Sequence, residues 1–172
     1  MSRHERLPET GRRPPSGCST DPCPDGIRLR VLSLGAGVQS TTLALMAARG
    51  EIGPTPDCAI FADTGWEPAA VYRNLDWLRS PGILPFPVHV VSAGNIRDDL
   101  IAGAEGRRWA SIPAFTRSVN RSGRVSIGMI RRQCTKDYKI VPIRRKVREL
   151  LGLTRRRSPD TPVAEQWIGI SL

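Results

Sequence analysis

The chain has 172 residues, of which 40% are hydrophobic and 24% are charged, and its formal net charge is +10. This composition is typical of a globular domain and excludes collagen-like, disulfide-scaffold and wholly disordered classes. No run approaches the ~18 apolar residues of a membrane span, and no apolar segment follows the basic N-terminal residues. We therefore expect no membrane partner, no secretory signal and a cytoplasmic location.

The first part of the chain is punctuated by prolines and shows no apolar period. Residues 1–27 therefore predict a flexible N-terminal arm, followed by one globular domain over residues 28–172. In this domain, short apolar strands alternate with segments of helical periodicity. The expected elements are a strand at 27–34, a glycine-rich turn at 35–40, a helix at 41–49 closed by Gly50, a strand at 57–62, a turn at 63–66, a helix at 67–79, a strand at 88–91, and a helix at 96–104 capped by Asn95. Such alternation predicts an α/β fold with a parallel sheet of right-handed βαβ units.

The second half of the chain is less regular. Residues 105–130 predict a long loop of the kind that serves as a lid or a mobile segment. A helix is expected from Cys134 to about Leu151, ended by Gly152, and a strand at 165–172. Because the chain stops within this strand pattern, a C-terminally truncated domain is one expectation.

The positive charge lies in one stretch of the chain. Residues 107–157 carry 16 basic residues against Asp137 and Glu149, whereas the segments on either side are slightly acidic. Such a block predicts an anionic partner: a phosphate-bearing small molecule, a nucleic-acid backbone or an acidic surface. The structural alternative is a solvated helix face in an arginine-rich chain.

The four cysteines, Cys18, Cys23, Cys58 and Cys134, have spacings that match no zinc pattern. We expect reduced thiols and no metal-ligating residues.

The turn at Gly35–Ser40 has the features of an anion site. Glycines after a strand let backbone N–H groups approach a ligand, and the following helix adds free N–H groups and the positive end of its dipole. Two familiar nucleotide motifs fit poorly here. Ser40 replaces the third glycine of G-x-G-x-x-G, and Gln39 occupies the position of the Walker A lysine.

A third pattern fits better. Residues 35–40 (GAGVQS) resemble the PP-loop, S-G-G-x-D-S, of the ATP pyrophosphatases and the phosphoadenosine phosphosulfate (PAPS) reductase family. Residues 61–67 (FADTGWE) resemble that family's D-T-G-x-x-[FP]-E turn, and residues 131–142 (RRQCTKDYKIVP) are similar to its R-x-C-T-x-x-x-K-x-x-P segment. The resemblance implies a three-layer Rossmann-like fold with a PP-loop, of the adenine nucleotide alpha hydrolase type.

The resemblance also implies a set of site residues. The nucleotide-binding set comprises Ser33, Gly35, Ala36, Gly37, Val38, Gln39, Ser40, Thr41, Asp63, Thr64, Gly65, Arg131, Thr135 and Lys139. The catalytic set comprises Lys136, Arg132 and Cys134. Alternatives remain for two of these: Asp63 is equally well read as a helix N-cap, and Cys134 as a small buried residue at a helix start.

The chain also departs from the family pattern. Gly35 stands where the PP-loop begins with serine and Gln39 where it has aspartate, so a metal held by that aspartate would be held less well. The family's C-terminal E-C-G-x-H motif is absent, and Cys134 has Gln133 beside it rather than a second cysteine. We therefore expect ATP or PAPS as the ligand, Mg²⁺ as an assisting ion, and no iron-sulfur cluster.

The resulting hypothesis is an adenine-nucleotide-binding protein that cleaves ATP at the α–β bond to adenylate an acceptor, or acts on a sulfonucleotide. The acceptor could be a polyanion or a nucleic acid. Two alternatives stay open: a nucleic-acid-binding module using residues 107–157, and an inactive, truncated relative of the family. The sequence makes no prediction of the oligomeric state.

Overall fold

A computed structural model of the chain describes residues 26–105, 115–129, 134–153 and 159–170. Within these ranges the elements, in chain order, are β1 (Leu29–Leu34), α1 (Val38–Ala48), β2 (Cys58–Asp63), α2 (Ala69–Leu78), β3 (Val88–Ser92), α3 (Ile96–Ala104), β4 (Phe115–Val119), β5 (Val125–Met129), a π-helical segment (Lys136–Ile140), α4 (Val141–Leu150) and β6 (Ala164–Ile168). Residues 1–25 of the expected N-terminal arm lie outside the described residues. No helix in the described ranges is long and apolar enough to cross a membrane.

Four strands form a parallel sheet in the order β3-β2-β1-β6. Leu32 in β1 lies opposite Ala59 in β2 on one side and opposite Trp167 in β6 on the other. An ion pair of 3.0 Å between Arg30 Nε and Glu165 Oε2 also joins β1 to β6. The predicted α/β fold with a parallel sheet is therefore confirmed.

Helices cover both faces of this sheet. Side chains alternate between the faces of a strand, so Leu32 and Leu34 face one way and Leu29 and Val31 the other. The first face packs against α1 and α2, and its buried core comprises Leu32, Leu34, Ala36, Ala44, Ala47, Ala59, Phe61, Leu75, Leu78 and Phe86. The second face packs against α4, and its core comprises Leu29, Val31, Cys58, Ile60, Ala62, Ile143 and Leu151. Burial on both faces explains why β2 is apolar at every residue except Asp63.

The helix ends follow the local sequence signals. Asn95 Oδ1 accepts hydrogen bonds from the backbone N–H groups of Arg97 and Asp98, so the predicted N-cap of α3 is confirmed. Gly50 and Gly152 follow α1 and α4 with positive φ angles, as expected for glycines that end helices. The helix expected over 67–79 is shorter, because α2 begins only after Pro68.

One expectation for the second half of the chain was wrong. Part of the stretch expected to be a loop is an antiparallel hairpin of β4 and β5, in which Val125, Ile127 and Met129 recur at every second position after a tight turn. The helix expected from Cys134 to about Leu151 is confirmed, and it contains a π-helical segment at Lys136–Ile140 before α4. Pro142 has no N–H to donate to the preceding turn, which accounts for the wider winding.

Candidate functional site

A cleft opens where the strand order of the sheet reverses. The chain runs outward from β1 to β2 and β3, and later returns to place β6 on the other side of β1. The cleft lies beside this reversal, at the carboxyl ends of β1 and β6, which is where open α/β sheets bind ligands. The cleft has a volume of about 670 Å³, within the ~300–1,000 Å³ of small-molecule sites.

The lining combines apolar side chains with glycines, hydroxyls, amides and cations. The apolar residues are Leu34, Phe61, Ala62, Ile140, Ile143 and Ile168, and the others are Ser33, Gly35, Gly37, Gln39, Ser40, Thr135, Lys139, Arg144, Gln166 and Gly169. Two of these residues, Lys139 and Arg144, are cations, and the described lining contains no carboxylate. The arrangement therefore suits an anion that carries an apolar group.

The turn after β1 is held together by its own polar groups. The backbone N–H of Gly35 donates to Ser40 Oγ at 3.1 Å, and that hydroxyl donates to the carbonyl of Gly37 at 3.4 Å. Behind the turn, Asn74 Nδ2 donates to the carbonyl of Ala36 and to Thr41 Oγ1, both at 2.9 Å. Ala36 is buried with a φ of +50°, a conformation that costs free energy in a residue other than glycine. The turn is thus fixed before any ligand arrives.

The N-terminus of α1 opens beside this turn without a side-chain cap. Gly37 is the N-cap residue and forms no side-chain hydrogen bond, and the first turn of α1 contains no acidic residue. The first N–H groups of a helix have no partners within it, and the helix dipole places partial positive charge there. This end of α1 is therefore suited to an anion.

Gly169, after β6, lies against the same helix end. A Cβ added at Gly169 would be 2.9 Å from the carbonyl carbon of Gln39 and from the backbone nitrogen of Ser40. Real Cβ atoms essentially never approach backbone this closely, so glycine is required for the β6 loop to reach α1. This contact joins the two loops that border the cleft.

The turn after β2 is built differently. Asp63 Oδ1 accepts hydrogen bonds from the N–H of Gly65 and from the hydroxyl of Tyr72, both at 2.8 Å. Thr64 is buried, and its hydroxyl donates to Glu67 Oε1 at 3.1 Å. Burial raises the pKa of Tyr72, and the charges of Asp63 and Glu67 raise it further. The polar groups of this turn are engaged with one another, and Asp63, Thr64 and Gly65 are not among the residues that line the cleft.

Asp63 also does not cap a helix. The residue before α2 is Pro68, which makes no side-chain cap, and Asp63 instead closes the turn onto Gly65. Gly65 has a φ of +70°, and an added Cβ would lie 3.1 Å from Asn95, whose Nδ2 donates to the carbonyl of Gly65. The turn after β2 is therefore packed against the start of α3.

The basic segment contributes a subset of its expected residues to the cleft. Lys139 lines the cleft, and its Nζ forms an ion pair of 3.0 Å with Glu67 Oε1. Thr135 also lines it, whereas Lys136 is exposed outside the lining and Cys134 is half-buried outside it. The two remaining expected residues, Arg131 and Arg132, lie outside the described residues.

Only part of the residue set expected from the PP-loop resemblance lines the cleft. Ser33, Gly35, Gly37, Gln39 and Ser40 line the cleft. Three others do not: Ala36 is buried beneath the turn, Thr41 is bonded to Asn74, and the side chain of Val38 is exposed.

The structure adds residues that sequence reasoning missed. Gln166, Ile168 and Gly169 come from the end of β6, and Ile143 and Arg144 from α4. The side chain of Gln166 is hydrogen-bonded to Ser33 Oγ across the junction of β1 and β6. No local motif marks these residues. The available signal was the predicted strand at 165–172, but its place beside β1 is a long-range property.

The donor set of the cleft does not fit a protein-held Mg²⁺ ion. This ion prefers carboxylate oxygens, and none lines the cleft in the described part of the chain, where Gln39 stands at the position for which the expected PP-loop pattern has aspartate. Across the same described ranges, no three His, Cys, Asp or Glu side chains are grouped as metal ligands.

Comparison with protein-family models, curated proteins and solved structures finds no match to this chain.

Proposed function

We propose that this chain binds an adenine nucleotide in the cleft between β1 and β6, as a PP-loop protein of the PAPS reductase-like type. The observation that carries the proposal is the position of the glycine turn. The turn and the uncapped N-terminus of α1 open together on a cleft at the switch point of a parallel sheet, where α/β proteins bind their ligands.

The phosphates occupy the end of the cleft formed by this turn. Backbone N–H groups at the start of α1 donate to phosphate oxygens, and the two lining cations neutralise their charge. Arg144 suits a phosphate because its guanidinium can donate two parallel hydrogen bonds. Lys139 is restrained by Glu67 at 3.0 Å, so its ammonium group is already directed before the nucleotide binds.

The base and ribose occupy the apolar part of the lining. Ile140 and Ile168 are exposed and offer apolar surface to a purine ring, and the side-chain amides of Gln39 and Gln166 offer donors and acceptors. The combination of six apolar and ten other lining residues agrees with a ligand that carries both apolar and polar groups.

The reaction proposed for this site is attack of an acceptor on the α-phosphorus of ATP. A bond forms from the acceptor oxygen or nitrogen to the α-phosphorus, the α–β phosphoanhydride breaks, pyrophosphate leaves with the electron pair, and the proton of the acceptor passes to solvent water. The described residues contribute by electrostatic stabilisation: the α1 N-terminus, Lys139 and Arg144 face the charge that develops on the leaving group. PAPS, which also carries an anhydride at its α-phosphate, is the second substrate to test.

Calorimetric titration with ATP and with PAPS tests the proposal. Arg144 and Arg145 form a matched pair, since they are adjacent exposed arginines of α4 and only Arg144 lines the cleft. We expect Arg144→Gln to weaken nucleotide binding by about tenfold, the effect of losing one charge-assisted contact, and Arg145→Gln to leave it unchanged. Gly37→Val should abolish binding, because its side chain would enter the cleft. Absence of heat with both nucleotides would overturn the proposal.

A nucleic-acid-binding module is the competing function, and one observation favours it. Arg117, Arg121, Arg124, Arg144 and Arg145 are all exposed within the basic segment 107–157. Titration with a short DNA duplex at two salt concentrations discriminates between the two functions. A module that tracks the phosphate backbone loses affinity steeply with salt, is weakened equally by Arg144→Gln and Arg145→Gln, and is indifferent to Gly37→Val.

A further inference from the structure

The hairpin of β4 and β5 has one apolar face. Its register pairs Phe115 with Met129, Arg117 with Ile127, and Val119 with Val125. Because side chains alternate along each strand, these paired residues project from the same side. We call this set the ribbon face: Phe115, Arg117, Val119, Val125, Ile127 and Met129. The opposite side presents Ser118, Ser126 and Gly128.

The ribbon face is exposed. Phe115 is 80% exposed, Ile127 73% and Met129 67%, and none of the six side chains is buried by another described element. A two-stranded hairpin alone is marginally stable in water, and it becomes stable when its apolar face is covered. An apolar patch of this kind on a folded protein marks an interaction site.

We propose that the ribbon face is a homodimer interface, covered by the same face of a second copy of this chain. Its composition is that of a protein–protein interface core, where aromatic residues, methionine and arginine are enriched and lysine and carboxylates are depleted. Nucleic-acid interfaces are more polar than this face. The proposal does not depend on nucleotide binding.

The size of the face agrees with this partner. Covering five exposed apolar side chains removes on the order of 500 Å² of surface from each copy, so a two-fold contact reaches the ~1,000 Å² expected of a specific interface. In a two-fold contact the same patch meets itself, so a single apolar face suffices for both copies.

The position of Arg117 is compatible with self-association. With the two-fold axis parallel to the strands, β4 of one copy lies over β5 of the other. The register then places Arg117 over the partner's Ile127, rather than over the partner's Arg117. The aliphatic stem of Arg117 packs on this side chain while its guanidinium extends to solvent at the edge of the ribbon.

The charge of the chain gives the dimer a distinctive salt dependence. Each copy carries a net charge of +10, and the hairpin contains Arg117, Arg121 and Arg124 with no acidic residue. Two such surfaces repel, and added salt screens the repulsion while leaving apolar burial intact. Salt therefore strengthens this dimer, whereas it weakens binding to nucleic acid or to an acidic protein.

Sedimentation velocity over a range of protein concentrations, at low and high sodium chloride, tests the proposal on the full chain. We expect a monomer–dimer equilibrium whose Kd falls as salt rises. Ile127→Ser should raise the Kd by about tenfold or more, and Ile127→Arg should abolish the dimer. Ile101→Ser provides the matched control, since Ile101 is an exposed isoleucine on α3 outside the ribbon face, and it should leave the Kd unchanged.

Thermal melting shows whether these variants keep the fold of the sheet domain. We expect them to keep it, because Ile127 is exposed. A chain that stays monomeric at both salt concentrations would overturn the proposal. So would a dimer that Ile127→Arg does not affect, or one that dissociates as salt rises. If the chain is a monomer and binds a DNA duplex with an affinity that Ile127→Arg changes, the ribbon face is a nucleic-acid surface and the dimer proposal is overturned.

Discussion

Two turns stand side by side at the carboxyl edge of the sheet, and they use their polar groups in opposite ways. The turn after β1, at Gly35–Gly37, is braced from behind by Ser40 and Asn74 and opens on the cleft. The turn after β2, at Asp63–Gly65, directs its carboxylate and hydroxyl toward Tyr72 and Glu67. The first turn leaves an uncapped helix end available to a ligand, and the second satisfies its own hydrogen bonds.

The difference shows why similarity to a family motif is insufficient to assign a ligand contact. Both turns match segments of the PAPS reductase-like pattern and both follow a buried strand. A carboxylate at a strand end either faces a ligand or closes its own turn, and the neighbouring side chains decide which. Glu67 nevertheless links the two regions, because it accepts from Thr64 in the second turn and pairs with Lys139 in the cleft.

The largest expected effect comes from crowding the first turn. Gly169→Val places a side chain where a Cβ alone would be 2.9 Å from the backbone of Gln39 and Ser40. The displaced α1 N-terminus should lower nucleotide affinity by about 100-fold, and overpacking should lower the free energy of unfolding by ~1–3 kcal/mol. Calorimetry and urea unfolding measure the two quantities. If the variant folds and binds nucleotide with unchanged affinity, the contact between the β6 loop and α1 does not shape the binding site.

A pair of asparagine variants compares the two turns directly. Asn74→Ala removes both hydrogen bonds that brace the first turn, and should cost ~1–3 kcal/mol of stability and about tenfold in nucleotide affinity. Asn95→Ala removes the bond to Gly65 and the N-cap of α3, and should cost ~1 kcal/mol of stability without changing affinity. The contrast between the turns fails if both variants bind nucleotide equally weakly.

A smaller effect is expected from the second turn alone. In Tyr72→Phe, Asp63 loses a hydrogen bond from the hydroxyl and the N–H of Glu67 loses its acceptor. The free energy of unfolding should fall by ~1 kcal/mol, since these groups are partly buried. ATP titration of the same variant should match the unmodified chain. A tenfold loss of affinity would instead show that the second turn contributes to nucleotide binding.

The last expected effect appears only at alkaline pH and concerns the buried start of β2. Burial, with a further contribution from the charge of Asp57, raises the pKa of the Cys58 thiol from 9.0 to about 11. The folded state thus binds this proton more tightly than the unfolded state. Its contribution to stability is complete below pH 9 and is lost as the pH rises toward 11. Urea unfolding across this range should show a shallower decline in Cys58→Ala, and equal slopes would contradict the assignment.

The local elements of the sheet domain could be predicted from the sequence. The strand, glycine turn and helix at β1 and α1 follow from adjacent residues, as do the Asn95 cap and the glycines after α1 and α4. The β4–β5 hairpin was missed, although Val125, Ile127 and Met129 alternate with small residues. The glycines, serines and arginines around it were read as a loop, because no buried face distinguished the strands.

The sequence by itself determined the α/β class, the glycine turn and the location of the excess positive charge, because each depends on residues close together in the chain. Tertiary structure alone decided which residues share the cleft. Gln166 and Ser33 meet across 133 positions because β6 pairs with β1. The same long-range packing brings Gly169 against α1, since strand order and side-chain contacts depend on the burial of the whole sheet.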